Sequence, residues 1–99
     1  RPTAIFAASD VIALGVYRAA ASLGLTIGSD LSVVGCADLP FARDLTPPLT
    51  TIRQDPYEIG RQAVRLLLER LAGKSPSRPQ SSRLPPRLFV RKSTGEPRS

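Results

Sequence analysis

Thr3-Ala4-Ile5-Phe6-Ala7-Ala8-Ser9-Asp10 is the stretch on which the fold turns. Its first six residues form a continuous apolar run, with the length and character of a strand buried on both faces of a parallel sheet. Ser9 and Asp10 are both types that cap helix N-termini. From Val11 to Leu23 the pattern turns helical, with Ile12, Val16, Ala19 and Leu23 recurring at three- and four-residue spacing on one face. Gly24 stands where a left-handed residue ends a helix, and Leu25 is placed for the accompanying hydrophobic contact. After the turn residues Gly28-Ser29-Asp30, the run Leu31-Ser32-Val33-Val34-Gly35-Cys36 reads as the next buried strand. Strand, helix and strand together span about 35 residues, the length of a βαβ crossover.

Asp38 to Leu45 reads as a short helix or a helical turn, broken by Thr46-Pro47-Pro48 because proline removes a donor and restricts its predecessor. Leu49-Thr50-Thr51-Ile52-Arg53 is extended. Asp55-Pro56-Tyr57-Glu58 is the clearest helix start: an Asp cap, proline at the first helical position, and Glu three residues after the cap to complete a capping box. That helix runs to about Ala72, with Ile59, Ala63, Leu67 and Leu71 as a stripe widened by Val64 and Leu68, and Gly73 ends it. Lys74 to Arg83 is a polar linker. Leu84 to Arg91 alternates after Pro85-Pro86 and reads as an edge strand. Ser93 to Ser99 reads as a frayed tail. The order β-α-β-(short α)-β-α-β has too few strands for a complete doubly wound sheet.

Composition excludes more than it assigns. The single cysteine, Cys36, rules out an internal disulfide framework or a thiolate metal cluster, and its apolar setting suits a small buried hydrophobe. The absence of histidine removes the commonest metal ligand and general base. No cofactor or metal is expected. No apolar run approaches the length of a membrane span. Residues 1–60 hold four arginines against six acids, net −2, whereas residues 61–99 hold ten Lys and Arg against two acids, net +8. A basic half could contact phosphates. Its charges are instead spread over a helix face, a linker and a tail with only Phe89 among them, which suits a solvated surface.

A search for chemistry returns little. There is no Gly-rich phosphate loop, the carboxylates are dispersed, and Ser9 has no histidine partner, so no Ser-His-Asp site can be assembled from these residues. An enzyme is not expected. Ligands of α/β sheets bind beyond the carboxyl ends of strands, where three segments fall: Ser9-Asp10, Ala37-Asp38 and Arg53-Gln54-Asp55. Short polar groups there can grip hydroxyls; for Asp10 and Asp55, helix capping is the better reading.

Four blocks carry a family likeness: Ala4-Ile5-Phe6-Ala7-Ala8-Ser9-Asp10 with Ala13-Leu14-Gly15; Asp30-Leu31-Ser32-Val33-Val34-Gly35; Thr46-Pro47-Pro48-Leu49-Thr50-Thr51-Ile52-Arg53-Gln54; and Leu88-Phe89-Val90-Arg91-Lys92-Ser93-Thr94. In this order and spacing they resemble the lactose-repressor/galactose-repressor (LacI/GalR) regulators over nearly the whole chain. The resemblance implies an α/β fold, the C-terminal part of a two-lobed periplasmic-binding-protein-like domain with Rossmann-like parallel sheets. Residues 1–53 and 86–95 would belong to one lobe, 56–83 to the other, and 96–99 to a tail. Arg53-Gln54-Asp55 and the region near Leu84 would be the crossings. It also implies an N-terminal helix-turn-helix headpiece outside these residues, through which alone operator DNA would be bound. A small effector, often a sugar, would lie in the cleft between lobes, and the protein would be a cytoplasmic homodimer with no membrane partner.

Carried over by position, Ser9 stands where the family often has Asn or Asp touching the effector, and Gln54 at a cleft-lining place. Ala37 stands where many sugar-binding members have Asp in a Gly-Tyr/Phe-Asp-Asp/Asn run, and Cys36 replaces the aromatic. A methyl group accepts no hydrogen bond, so a different or less polar effector is implied, or weak sensing. Dimerisation in the family points to Val11, Leu14, Phe41 and Leu45, for which core packing is the other reading. The expected function is therefore the sensing and dimerisation part of a transcription regulator. The alternatives are a periplasmic sugar-binding protein of the same fold and, further off, a small nucleic-acid-binding module.

Overall fold

The structure is a computed structural model and describes residues 2–73 and 84–98. The stretch 74–83, read above as a linker, lies outside the described residues. The elements are β1 (Ala4–Phe6), α1 (Asp10–Ser22), β2 (Ser32–Cys36), a 3-10 helix (Pro40–Asp44), β3 (Thr50–Arg53), α2 (Pro56–Leu71) and β4 (Arg87–Phe89). They fall into two compact units: Arg1–Arg53 with Arg87–Ser99, and Gln54–Pro86.

The first unit is a four-stranded sheet in the order β1-β2-β3-β4. β1, β2 and β3 are parallel, with Ile5 opposite Val33 and Gly35 opposite Thr51. β4 runs antiparallel to β3, with Thr51 opposite Phe89, and forms the edge its prolines suggested. The sheet is thus α/β with one antiparallel strand added.

Capping sets the ends of α1. The Ser9 side chain accepts from the Ile12 amide at 3.2 Å. At the other end Gly24, at φ +71°, closes a Schellman turn: Leu25 N–H donates to Ala20 O and Gly24 N–H to Ala21 O. Of the stripe expected from Ile12, Val16, Ala19 and Leu23, only Val16 packs against the core. Ala13 and Ala20 are buried with Asp10, and Val16 and Tyr17 pack beside them, while Ile12 and Leu23 are exposed. Small alanines at the buried positions let the helix backbone approach β2 closely, while Val11, Ile12 and Leu23 point away. The core gathers Ala7, Ala13, Leu31, Val33, Ala42 and Leu49, with Ile5, Ile27 and Leu45 against it.

β1 also departs from expectation. It is an edge strand with Ala4 and Phe6 exposed rather than a strand buried on both faces, because α1 lies on only one side of the sheet. In β2, Val33 and Gly35 are buried towards that side, and Ser32, Val34 and Cys36 are half-buried on the other. Cys36 is therefore not the fully buried hydrophobe expected.

The tail is not frayed through its described part. Ser93 is fully buried; its Oγ accepts from Thr50 N–H at 2.8 Å and donates to Val33 O at 2.6 Å. Gly95 N–H donates to Ser32 Oγ, and Arg98 pairs with Asp30. A serine looks solvated in a sequence, but here Ser93 satisfies backbone groups of β2 and β3 that would otherwise be buried without partners.

The second unit is built on α2. Asp55 caps it, accepting from Tyr57 N–H and Glu58 N–H, with Pro56 in the first turn. The expected capping box does not close: Glu58 turns along the helix to Arg61 and Gln62 instead, drawn by the Arg61 guanidinium at 2.7 Å. α2 has no buried residue, so the stripe Val64, Leu67, Leu68 and Leu71 is exposed. Among the described residues, no helix is long and apolar enough to cross a membrane.

Candidate functional site

Three parallel strands put their carboxyl ends along one edge of the first unit's sheet, and each chain segment leaving that edge was singled out in the sequence. After β1 come Ser9 and Asp10. Ser9 caps α1 through its oxygen, which leaves its hydroxyl proton to donate elsewhere.

Asp10 is not the cap the sequence suggested. It is fully buried; Oδ1 accepts from the Thr51 hydroxyl at 2.7 Å and Oδ2 from Leu39 N–H at 2.7 Å. It sits over Gly35, where a Cβ would run into Asp10 Oδ1 and come within 2.9 Å of Leu49 Cδ2. Glycine at 35 is what lets the carboxylate reach across β2. Its first-turn position also sets its charge against the positive end of α1.

After β2 come Ala37 and Asp38, both with positive φ, 114° and 54°. Ala37 N–H donates to Ile52 O at 2.7 Å, and Asp38 N–H to Thr51 Oγ1 at 3.3 Å. The Asp38 carboxylate is almost wholly buried and pairs with Arg91 at 2.9 Å. The Ala37 side chain is exposed. Ser9 and Ala37 thus follow neighbouring strands. Gln54 leaves β3 into the second unit, where its amide donates to Leu84 O at 3.1 Å. Gln54, Gln62, Leu66 and Leu84 help line a mostly apolar hollow of about 710 Å³ in that unit.

Of the residues named for dimerisation, Val11 is exposed on the first turn of α1, Leu14 and Phe41 are half-buried, and Leu45 packs against the core. The sequence reading missed Thr51, Arg91 and Ser93. Arg91 looked like one more charge of a basic half, and nothing local marks a partner 53 positions away.

Three parallel strands whose carboxyl ends are braced by buried polar groups, with a chain that leaves the sheet after β3 and re-enters it at β4, have the arrangement of part of an α/β domain of the periplasmic-binding-protein type. Residues 1–94 match the periplasmic binding protein-like domain family. The HTH-type transcriptional repressor PurR of Haemophilus influenzae (strain PittEE) is 45% identical over 94 residues, 93% of this chain and 28% of the relative. The lactose operon repressor of Rhizobium radiobacter is 45% identical over 97 residues, 98% of this chain and 84% of the relative. Among solved structures, a Lac repressor dimer bound to operator and the anti-inducer ONPF superposes with a TM-score of 0.86 at 40% identity, over 96% of this chain and 32% of that one. A LacI family regulator from Enterococcus faecium with bound ribose gives 0.80 at 34% identity, over 94% and 34%. The chain belongs to the LacI family, of which it is a C-terminal part, and it spans 28% of the length of the PurR relative.

Proposed function

We propose that this chain is the effector-sensing and dimerisation portion of a bacterial LacI-type regulator of transcription, working in the cytoplasm and not as an enzyme. The effector is a small polar molecule of the sugar class, met at the carboxyl ends of β1, β2 and β3 by Ser9, Ala37 and Gln54. One observation carries the reading: three parallel strand ends on one edge, with the middle one finished by a left-handed Ala37-Asp38 turn braced from inside. Left-handed non-glycine residues cluster where a backbone is held for binding.

In this reading the two compact units are pieces of two lobes, and Val11, Leu14, Phe41 and Leu45 belong to a homodimer interface. Operator DNA is bound through a headpiece outside these residues. The relatives named above are repressors rather than transport proteins, which favours this reading over a periplasmic sugar-binding protein.

The test is calorimetric titration of the full-length protein and its Ala37→Leu variant with ribose and with cellobiose. Binding of either sugar by the wild type, weakened at least tenfold in Ala37→Leu with the fold intact, is expected. Binding that Ala37→Leu leaves unchanged removes the β2 end from the site.

A further inference from the structure

We propose that Arg91 and Asp10 are positioning residues that lock the Ala37-Asp38 turn in its left-handed conformation, so that the end of β2 is shaped before any effector arrives. The inference rests on the strand-end reading only for what the turn faces; the locking itself is a property of the first unit.

Two consecutive residues with Cβ atoms at positive φ bring side chain and carbonyl too close, so such a turn needs support from outside itself. That support comes from two directions. From the segment after β4, the Arg91 fork donates to Leu49 O at 2.8 Å and to Asp38 Oδ1 at 2.9 Å, and its own backbone N–H is held by Thr50 Oγ1 at 2.9 Å. Arg91 is therefore held at its backbone and at one guanidinium nitrogen, which aims the other at Asp38. From α1, Asp10 takes the Thr51 hydroxyl proton on one oxygen, which turns a Thr51 lone pair towards Asp38 N–H. Its other oxygen takes Leu39 N–H.

Three successive amides, Ala37, Asp38 and Leu39, are thus consumed inside the unit by Ile52 O, Thr51 Oγ1 and Asp10 Oδ2. The Asp38 carboxylate, 3% exposed, is spent on Arg91. What the turn offers outward is the Ala37 methyl group, with none of these amides left to donate. A ligand facing it meets a fixed, donor-poor surface, which suits an edge of the effector that carries no acceptor seeking a hydrogen bond. No residue has to rearrange for that contact, so the ordering cost of shaping this turn does not fall on binding.

Single-residue amide hydrogen exchange on the ligand-free, full-length protein tests the lock. Arg91→Gln removes charge-assisted bonds and should speed exchange of the Asp38 and Leu39 amides by roughly ten- to 150-fold, while Val33 and Val34 in β2 keep their protection. Adding Asp38→Gly to Arg91→Gln should restore protection at Leu39. Glycine takes a positive φ without a partner, and the stranded carboxylate is gone. A role in general stability alone would instead raise exchange evenly across β2.

Unchanged exchange in Arg91→Gln, an even rise over the strand, or no recovery with Asp38→Gly overturns the proposal. If Arg91→Gln does not fold, Arg91→Lys keeps the charge but not the fork. It should show a smaller rise confined to the same two amides, and no rise there also overturns it. No ligand enters this experiment, so it stands or fails separately from the sugar titration of Ala37→Leu.

Discussion

α1 and α2 are equally well started and stopped, one by Ser9 and Gly24, the other by Asp55 and Gly73, yet they sit in different energetic worlds. α1 is a weakly striped helix of alanines that buries Asp10, Ala13 and Ala20 against a sheet. α2 has the clearer apolar stripe and no fully buried residue. Local capping selects where a helix begins and ends, but a tertiary partner decides whether its face contributes to stability. The first unit holds its helix through close backbone approach and a buried polar network. The second holds its helix through side chains on its own surface: Asp55 at the cap, Arg61 with Glu58, and Arg65 with Glu69.

The contrast can be broken most forcefully at Asp10. Asp10→Ala leaves Leu39 N–H and the Thr51 hydroxyl without their acceptor, at a cost of about 2–5 kcal/mol by chemical denaturation of the full-length protein. A loss under about 1 kcal/mol would mean that the network is not a main support of the first unit. Gly35→Ala attacks the same place sterically. The new methyl would meet Asp10 and Leu49, and a loss of about 1–3 kcal/mol is expected; neutrality would show that the Asp10 side chain swings aside freely.

In the second unit effects should be smaller. Asp55→Ala removes one cap and should cost about 1 kcal/mol, seen as reduced helicity in the circular dichroism of the 99-residue chain. In that same chain Leu67→Ala should change stability by about 0.5 kcal/mol or less, because the side chain is already exposed. A larger effect would reveal that the stripe is covered, for instance by self-association.

The smallest effect is a pH dependence. Arg61, and after it Gln62, hold the Glu58 carboxyl down to about 2. A depressed carboxylate contributes stability that is present above its ordinary range and is lost as pH falls through about 2. Wild type should therefore keep a slight helicity advantage over Glu58→Gln down to that pH, and equal curves throughout would show the pair to be inert. The pair is exposed, so the advantage is expected to be slight.

These comparisons also show why some features were legible in the sequence and others were not. Ser9, Gly24, Asp55 and the prolines act on neighbours within four residues, and their consequences can be read directly. The buried face of α1 departs from the apolar stripe because the sheet selects small residues that permit close approach, Ala13 and Ala20, beside Val16. Asp10 looked like a cap because its partners, Leu39 and Thr51, lie 29 and 41 positions away. Ser93 looked solvated because its partners, Thr50 and Val33, are remote in the same way. Ala37 carried no turn signature at all, since alanine has no preference for the conformation that its surroundings impose. Of the candidate site, the strand ends were readable from the βαβ pattern, and the network that shapes them was not.

The most direct measurement of whether this chain senses on behalf of a DNA-binding protein is a mobility-shift assay at physiological salt. The full-length protein and the 99-residue chain are compared on DNA from upstream of the protein's own gene, with and without added ribose or cellobiose. Selective binding by the full-length protein that changes on adding a sugar, with none by the 99-residue chain, is the expected result. Sequence-selective binding by the 99-residue chain alone would contradict it.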